Sequence, residues 1–173
     1  MADLKAATDA DVPEIVALTN WAYRGTGEPA SWTVESYLEG HRTTAEAIRT
    51  DVAAKPEAHL LVWRDEGGEL QGHVWLEPVD RETWYLGLLS VRPDRQDRKL
   101  GRTLLAAAEA FARDRGARRI QMTVINVRDT LIAWYERRGY GLTGEVRPFP
   151  YGDDRFGRPM RDDLSFVVLE RAL

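Results

Sequence analysis

The residues best suited to chemistry lie together in Ser-Val-Arg-Pro-Asp-Arg-Gln-Asp-Arg-Lys-Leu-Gly-Arg-Thr-Leu-Leu (90–105). The stretch leaves an apolar run, crosses a turn dense in Arg, Lys and Asp, and ends as an amphipathic segment. A strand that turns directly into a helix points several unpaired backbone N–H groups at one spot, and the helix dipole makes that spot electropositive. Gln96, Arg98, Lys99 and Arg102 can add side-chain donors there, and Gly101 lets the backbone approach a ligand. Such a turn suits a diphosphate. It is not a Walker loop, since G-x-x-x-x-G-K-[ST] is absent, and it lacks the G-x-G-x-x-G of dinucleotide sites.

The pattern V-x-P-x-x-Q-x-x-x-x-G-R-x-L-L is carried by Val91, Pro93, Gln96, Gly101, Arg102, Leu104 and Leu105. It resembles the GNAT-type N-acetyltransferases, whose core signature Q/R-x-x-G-x-G/A reads here Gln96-Asp97-Arg98-Lys99-Leu100-Gly101. Lys99 stands where that family has its first glycine. It supplies an amide and a cation on condition that its φ is negative; at positive φ a lysine would be strained. A second element, Leu-Ile-Ala-Trp-Tyr-Glu-Arg-Arg-Gly-Tyr (131–140), resembles the family's helix ending in tyrosine followed by Gly-aromatic, with Tyr135, Gly139 and Tyr140 in those places. The usual Asn seven residues before the tyrosine is Arg128, and the usual small residue four before it is Leu131; Asn126 lies nearby and could replace the missing contact to a pantetheine arm.

The resemblance implies acetyl-CoA as donor. It implies cofactor contacts from Leu89, Ser90 and Val91, from Gln96, Asp97, Arg98, Lys99, Leu100, Gly101, Arg102 and Thr103, and from Asn126. The implied reaction moves an acetyl group from a thioester to an amine, which must be neutral to attack. Tyr135 is the expected proton source for the departing thiolate, a phenol of pKa about 10 facing a thiol of about 8.5; the alternative is a core aromatic on an amphipathic helix. A backbone N–H near Leu89 is the expected oxyanion donor, on a strand that the family bulges, and Gly87 is compatible with the bulge. The base is open: Glu77 is the leading candidate, with Glu82, His73, His41 and a water chain to a distant carboxylate behind it.

For the acceptor, the first helical region offers Trp21, Tyr23, Arg24, Glu28 and Trp32, although tryptophans there also suit a core or an interface. The other wall is expected from 147–163, a long segment mixing Phe149, Tyr151 and Phe156 with Asp153 and Asp154. Arg147, Arg155, Arg158 and Arg161 make a carboxylate-bearing acceptor as compatible as a plain amine. The resulting expectation is an acetyl-CoA-dependent N-acetyltransferase acting on a primary amine of a small molecule, amino acid or peptide. The rival is a non-catalytic acyl-CoA-binding sensor.

The elements that must position these groups follow from periodicity. Strands are expected at 4–8, in a hairpin around Glu66-Gly67-Gly68, and at 83–91, 118–125, 140–147 and 164–171. Helices are expected at 12–24, at 32–55 with a break near Gly40, at 101–115 ended by Gly116, and at 129–139. The order is that of a mixed α/β sheet. The resemblance makes it a mostly antiparallel, twisted sheet of about seven strands and four helices, splayed at a central parallel pair, in one domain spanning 1–173.

Composition narrows the classes. A chain of 173 residues, 43% of them hydrophobic, can bury one sizeable core. The net charge of -4 argues against general nucleic-acid binding, and no apolar run is long enough to span a membrane. There is no cysteine, and His41, His59 and His73 lack metal-ligand spacing, so no metal site is expected. A cytoplasmic location fits, and a homodimer is compatible.

Overall fold

The computed structural model describes residues 2–173, the side chains of Gln96 and Asp97 excepted, so the expected contacts of those two lie outside the described residues. Seven strands form one sheet: β1 (Leu4–Ala6), β3 (His59–Arg64), β4 (Leu70–Pro78), β5 (Thr83–Val91), β6 (Arg119–Ile125), β9 (Ser165–Ala172) and β7 (Gly141–Pro148), side by side in that order. A separate two-stranded ribbon joins β2 (Leu38–Glu39) to β8 (Arg158–Pro159). Neighbours in the large sheet are antiparallel except β5 and β6, which run parallel. Among the described residues no helix is long and apolar enough to cross a membrane.

Helices cover both faces. α1 (Val12–Arg24) and α2 (Ala45–Ala54) bury Val12, Ile15, Leu18 and Ile48 against Leu60, Val62 and Trp75. α3 (Leu100–Asp114) and, after β6, α4 (Asp129–Glu136) lie over the core of Leu61, Val74, Leu76, Leu86, Leu104 and Leu105. On β3 the alternation of Leu60 and Val62 with Leu61 divides the two cores, as a period of two requires. Gly72 on β4 permits α3 to close on the sheet: a Cβ there would stand 2.7 Å from the Ser90 carbonyl and 2.9 Å from a Leu104 methyl.

One expected helix is absent. Residues 32–42 form turns and the short strand β2. Leu38 is drawn into a third apolar cluster with Ile125, Phe149 and Leu164, and Glu35 into buried ion pairs. These distant partners outweigh local helical spacing.

His73, on β4, is wholly buried, with Nε2 2.9 Å from Thr19 Oγ1 and Nδ1 without a partner. Burial pushes its pKa down to about 4. It lines none of the cavities described below and is no candidate base. The unfolded chain takes up this proton near pH 6.5 and the folded chain only near 4, so stability falls as pH drops through that window. Between pH 7 and 5 the loss from His73 is about 2 kcal/mol. Urea titrations at the two pH values are expected to show a drop smaller by that amount in His73→Leu; equal drops would contradict it.

Candidate active site

The parallel β5–β6 pairing holds only from Thr83↔Arg119 to Tyr85↔Gln121, and beyond it the strands part. On the other side of β5, Trp75 faces Gly87 and His73 faces Ser90, so two residues, Leu88 and Leu89, stand opposite Val74 alone. This is a β-bulge, and its strained residue is Leu88 at φ 51°, not Gly87. A leucine in the left-handed region persists only where the surroundings hold it. Here Tyr23 Oη, on α1, donates to the Leu89 carbonyl at 3.3 Å. Burial raises the Tyr23 pKa and keeps the donor protonated.

The turn after β5 runs through a short 3₁₀ segment into α3, and Lys99 is the N-cap residue at φ 58°. Its φ is therefore positive, against the condition read from the sequence. The left-handed geometry that glycine supplies elsewhere is imposed here on a lysine, at a cost of about 1 kcal/mol. In return an additional cation stands at the helix N-terminus.

A cavity of about 220 Å³ opens over this turn, lined by Leu89, Ser90, Val91, Lys99, Gly101 and Arg102 from the strand–turn–helix and by Arg128, Leu131, Trp134, Tyr135 and Arg138 around α4. Lys99, Arg102, Arg128 and Arg138 give it four cations, and among the described residues no carboxylate lines it. The Arg138 guanidinium stacks 3.8 Å from the Trp134 ring, its buried Nε has no partner, and burial with nearby Arg102 lowers its pKa. Arg128 is held by Glu35, whereas Lys99, Arg102 and Arg138 meet no carboxylate among the described residues; such cations beside the first-turn amides of a helix are what a diphosphate requires.

A family model, Acetyltransferase (GNAT) family, matches residues 18–140. The chain belongs to the GNAT acetyltransferase family. The mycothiol acetyltransferase of Propionibacterium freudenreichii subsp. shermanii is 30% identical over 139 residues, 78% of this chain and 41% of that protein. The chain thus spans less than half the length of this curated relative. Among solved structures, the ribosomal-protein-alanine N-acetyltransferase from Brucella melitensis superposes with a TM-score of 0.69 at 19% identity, covering 99% of each chain. A GNAT family acetyltransferase from Elizabethkingia anophelis with acetyl-CoA bound has a TM-score of 0.61 at 16% identity, covering 99% of this chain and 97% of the other. The GNAT fold is thereby established, and the cationic cavity fits the diphosphate of the donor that such enzymes use.

A second cavity of about 590 Å³ lies where β5 and β6 separate, bounded by β5 from Tyr85 to Leu89, by β6 from Gln121 to Ile125, and by Glu35, Arg42, Glu77, Arg155 and Phe156. The two cavities share Tyr23, Leu89, Arg128, Leu131 and Tyr135. Tyr135 is 6% exposed, and among the described residues its hydroxyl has no hydrogen-bond partner. Burial raises its pKa well beyond the ordinary phenol range. The hydroxyl at the junction of the two cavities therefore carries a proton it can donate. Tyr140 serves the fold instead. Its hydroxyl donates to buried Glu109 at 2.9 Å, and Arg171 reaches the same carboxylate at 2.6 Å.

Not every expected residue reaches the cavities. Trp21 donates its indole N–H to the Pro29 carbonyl, Glu28 is exposed, and Tyr151 binds the Arg161 carbonyl and the Leu164 amide. Arg24 is spent on Glu35 and the carbonyls of Gly40 and Phe156. Asn126 is committed to Asp163 and Ser165 at the start of β9. Arg98, Leu100 and Thr103 belong to the turn and the start of α3 but do not line the cavity; Leu100 is buried and Thr103 Oγ1 donates back to the Lys99 carbonyl. Glu82 pairs with Arg119 at the far end of β5 and His41 is exposed, so neither faces the slot. Glu77 does line the second cavity, 3.0 Å from Lys55 Nζ.

Glu35, Arg42, Trp134 and Arg138 were missed. Arg138 and Trp134 sit at helical spacing beside Tyr135, a signal the sequence did carry. Glu35 and Arg42 lie in no motif.

Proposed function

We propose that this chain is an acetyl-CoA-dependent N-acetyltransferase acting on a primary amine of a small molecule, amino acid or peptide. The observation that carries this is the meeting, at Tyr135 and Leu89, of an acceptor-sized cavity and a cationic one that no carboxylate lines among the described residues. Lys99, Arg102, Arg138 and the first-turn amides of α3 would hold the diphosphate, and Ser90 and Val91 would flank the pantetheine arm. Bound acetyl-CoA supplies the activated acyl group as a thioester. The Leu89 N–H, on a bulge left unpaired by β6, stabilises negative charge on the acyl oxygen. Tyr135 Oη donates to the departing sulfur, and Glu77 accepts the proton shed by the acceptor amine.

The strands at both ends of the chain join one sheet, which supports a single domain over 1–173. The cysteine-free sequence supports a cytoplasmic location. Exposed Leu142 and Val146 on edge strand β7 support a homodimer. The acidic net charge supports the absence of a nucleic-acid partner.

The test is thiol release from acetyl-CoA across an amine panel. Tyr135→Phe is expected to lower kcat about a hundredfold with acetyl-CoA affinity unchanged. Equal turnover in both proteins would remove Tyr135 from the mechanism.

A further inference from the structure

Of the charged side chains lining the acceptor cavity, all but one are answered within the protein. Glu35 meets Arg24 at 2.6 Å and Arg128 at 3.2 Å; Glu77 meets Lys55 at 3.0 Å; Arg155 reaches Asp51 at 2.7 Å; Arg147 meets Glu145. Arg42 differs. Among the described residues its guanidinium meets no carboxylate and makes no hydrogen bond.

Arg42 is nevertheless well placed. Its backbone N–H donates to Asn20 Oδ1 at 2.7 Å, and the Asn20 amide donates to the Thr43 carbonyl at 3.0 Å. Its guanidinium lies 5.3 Å from the Tyr23 ring centre and 5.0 Å from that of Phe156. Two aromatic rings hold the cation and leave its N–H donors unclaimed. A guanidinium so held matches a carboxylate, which it can bind through two parallel hydrogen bonds. Arg42 and Glu77 line both the acceptor cavity and an adjoining one of about 320 Å³. Both cavities therefore count an unpaired cation and a carboxylate among their lining residues.

We propose that Arg42 determines acceptor specificity by binding a carboxylate, and that the acceptor is a small amino acid carrying that carboxylate beside its amine. The proposal rests on the acetyltransferase reading above. A polyamine would set a second cation against Arg42, with no unpaired carboxylate to receive it. An amino acid answers the one unpaired charge, its carboxylate toward Arg42, with its amine toward Glu77, the base proposed above.

The experiment measures thiol release from acetyl-CoA with the standard α-amino acids, each paired with its carboxamide, on wild type, Arg42→Gln and Arg42→Lys. Wild type is expected to use at least one amino acid with kcat/KM about 10–100-fold above its carboxamide. Arg42→Gln should collapse that ratio toward one, mainly through KM, and Arg42→Lys should restore part of it. The wild-type-to-variant comparison cancels the lower basicity of carboxamide amines. Carboxamides used as well as the acids, no turnover of any amino acid, or an equal fall for both members in Arg42→Gln would each overturn the proposal. Acetyl-CoA stabilisation of the fold is scored separately: its absence would overturn the acetyltransferase reading itself, while its presence with indifference to the carboxylate would sink the Arg42 assignment alone.

Discussion

Gly101→Trp is expected to abolish acetyl-CoA binding while the fold survives. Gly101 sits in the first turn of α3, where a Cβ would lie 3.6 Å from Trp134 Cζ2 and 3.9 Å from Val91 Cγ2, both ordinary contacts. Neither φ nor crowding therefore demands glycine, and Gly101→Ala should leave the fold intact. An indole is another matter: it would occupy the cavity of about 220 Å³ lined by Lys99, Arg102 and Arg138. Calorimetric titration should find no acetyl-CoA binding in Gly101→Trp, with a melting temperature close to wild type. Undiminished binding would place the cradle elsewhere.

Glu35→Gln is expected to cost about 3–5 kcal/mol of stability. Glu35 is 4% exposed and holds two guanidiniums, of Arg24 and Arg128, whose side chains are 5% and 9% exposed. Glutamine preserves shape and removes the charge, leaving two buried cations uncompensated. The Arg128 guanidinium also donates to the Thr33 carbonyl at 2.6 Å, so this cluster ties segment 31–42 to the start of α4. Its loss should loosen the junction between the cavities as well as the fold. Urea unfolding reads the stability, and a change below about 1 kcal/mol would mean that the cluster contributes as little as a surface pair.

What could be read from the sequence was what local chemistry fixes. The strand–turn–helix at 83–116 announces itself through a run of β-formers, a charged turn and a helix closed by Gly116. Tyr135 followed by Gly139 and Tyr140 is equally local. Residues 32–42 could not be read this way, because Glu35 is fixed by Arg128, far along the chain, and Leu38 by Phe149. The positive φ of Leu88 and Lys99 was hidden for a related reason: no glycine marks either position, and the surrounding structure imposes the geometry. Acceptor residues were hardest. Trp21 and Tyr23 are both aromatics of α1, yet only Tyr23 turns toward the slot, and Arg42 stands out only once every other charge of the acceptor cavity is seen to be paired.

The central claim is that the turn at 92–102 cradles acetyl-CoA, and a thermal melt with and without it, with ATP and NAD as controls, tests that most directly. A ligand at about 100 times its Kd adds roughly 2.7 kcal/mol, which for a chain of this size raises the midpoint by about 5–10 °C. The account predicts that shift with acetyl-CoA and not with NAD or ATP. A folded protein whose midpoint acetyl-CoA leaves unmoved would contradict it.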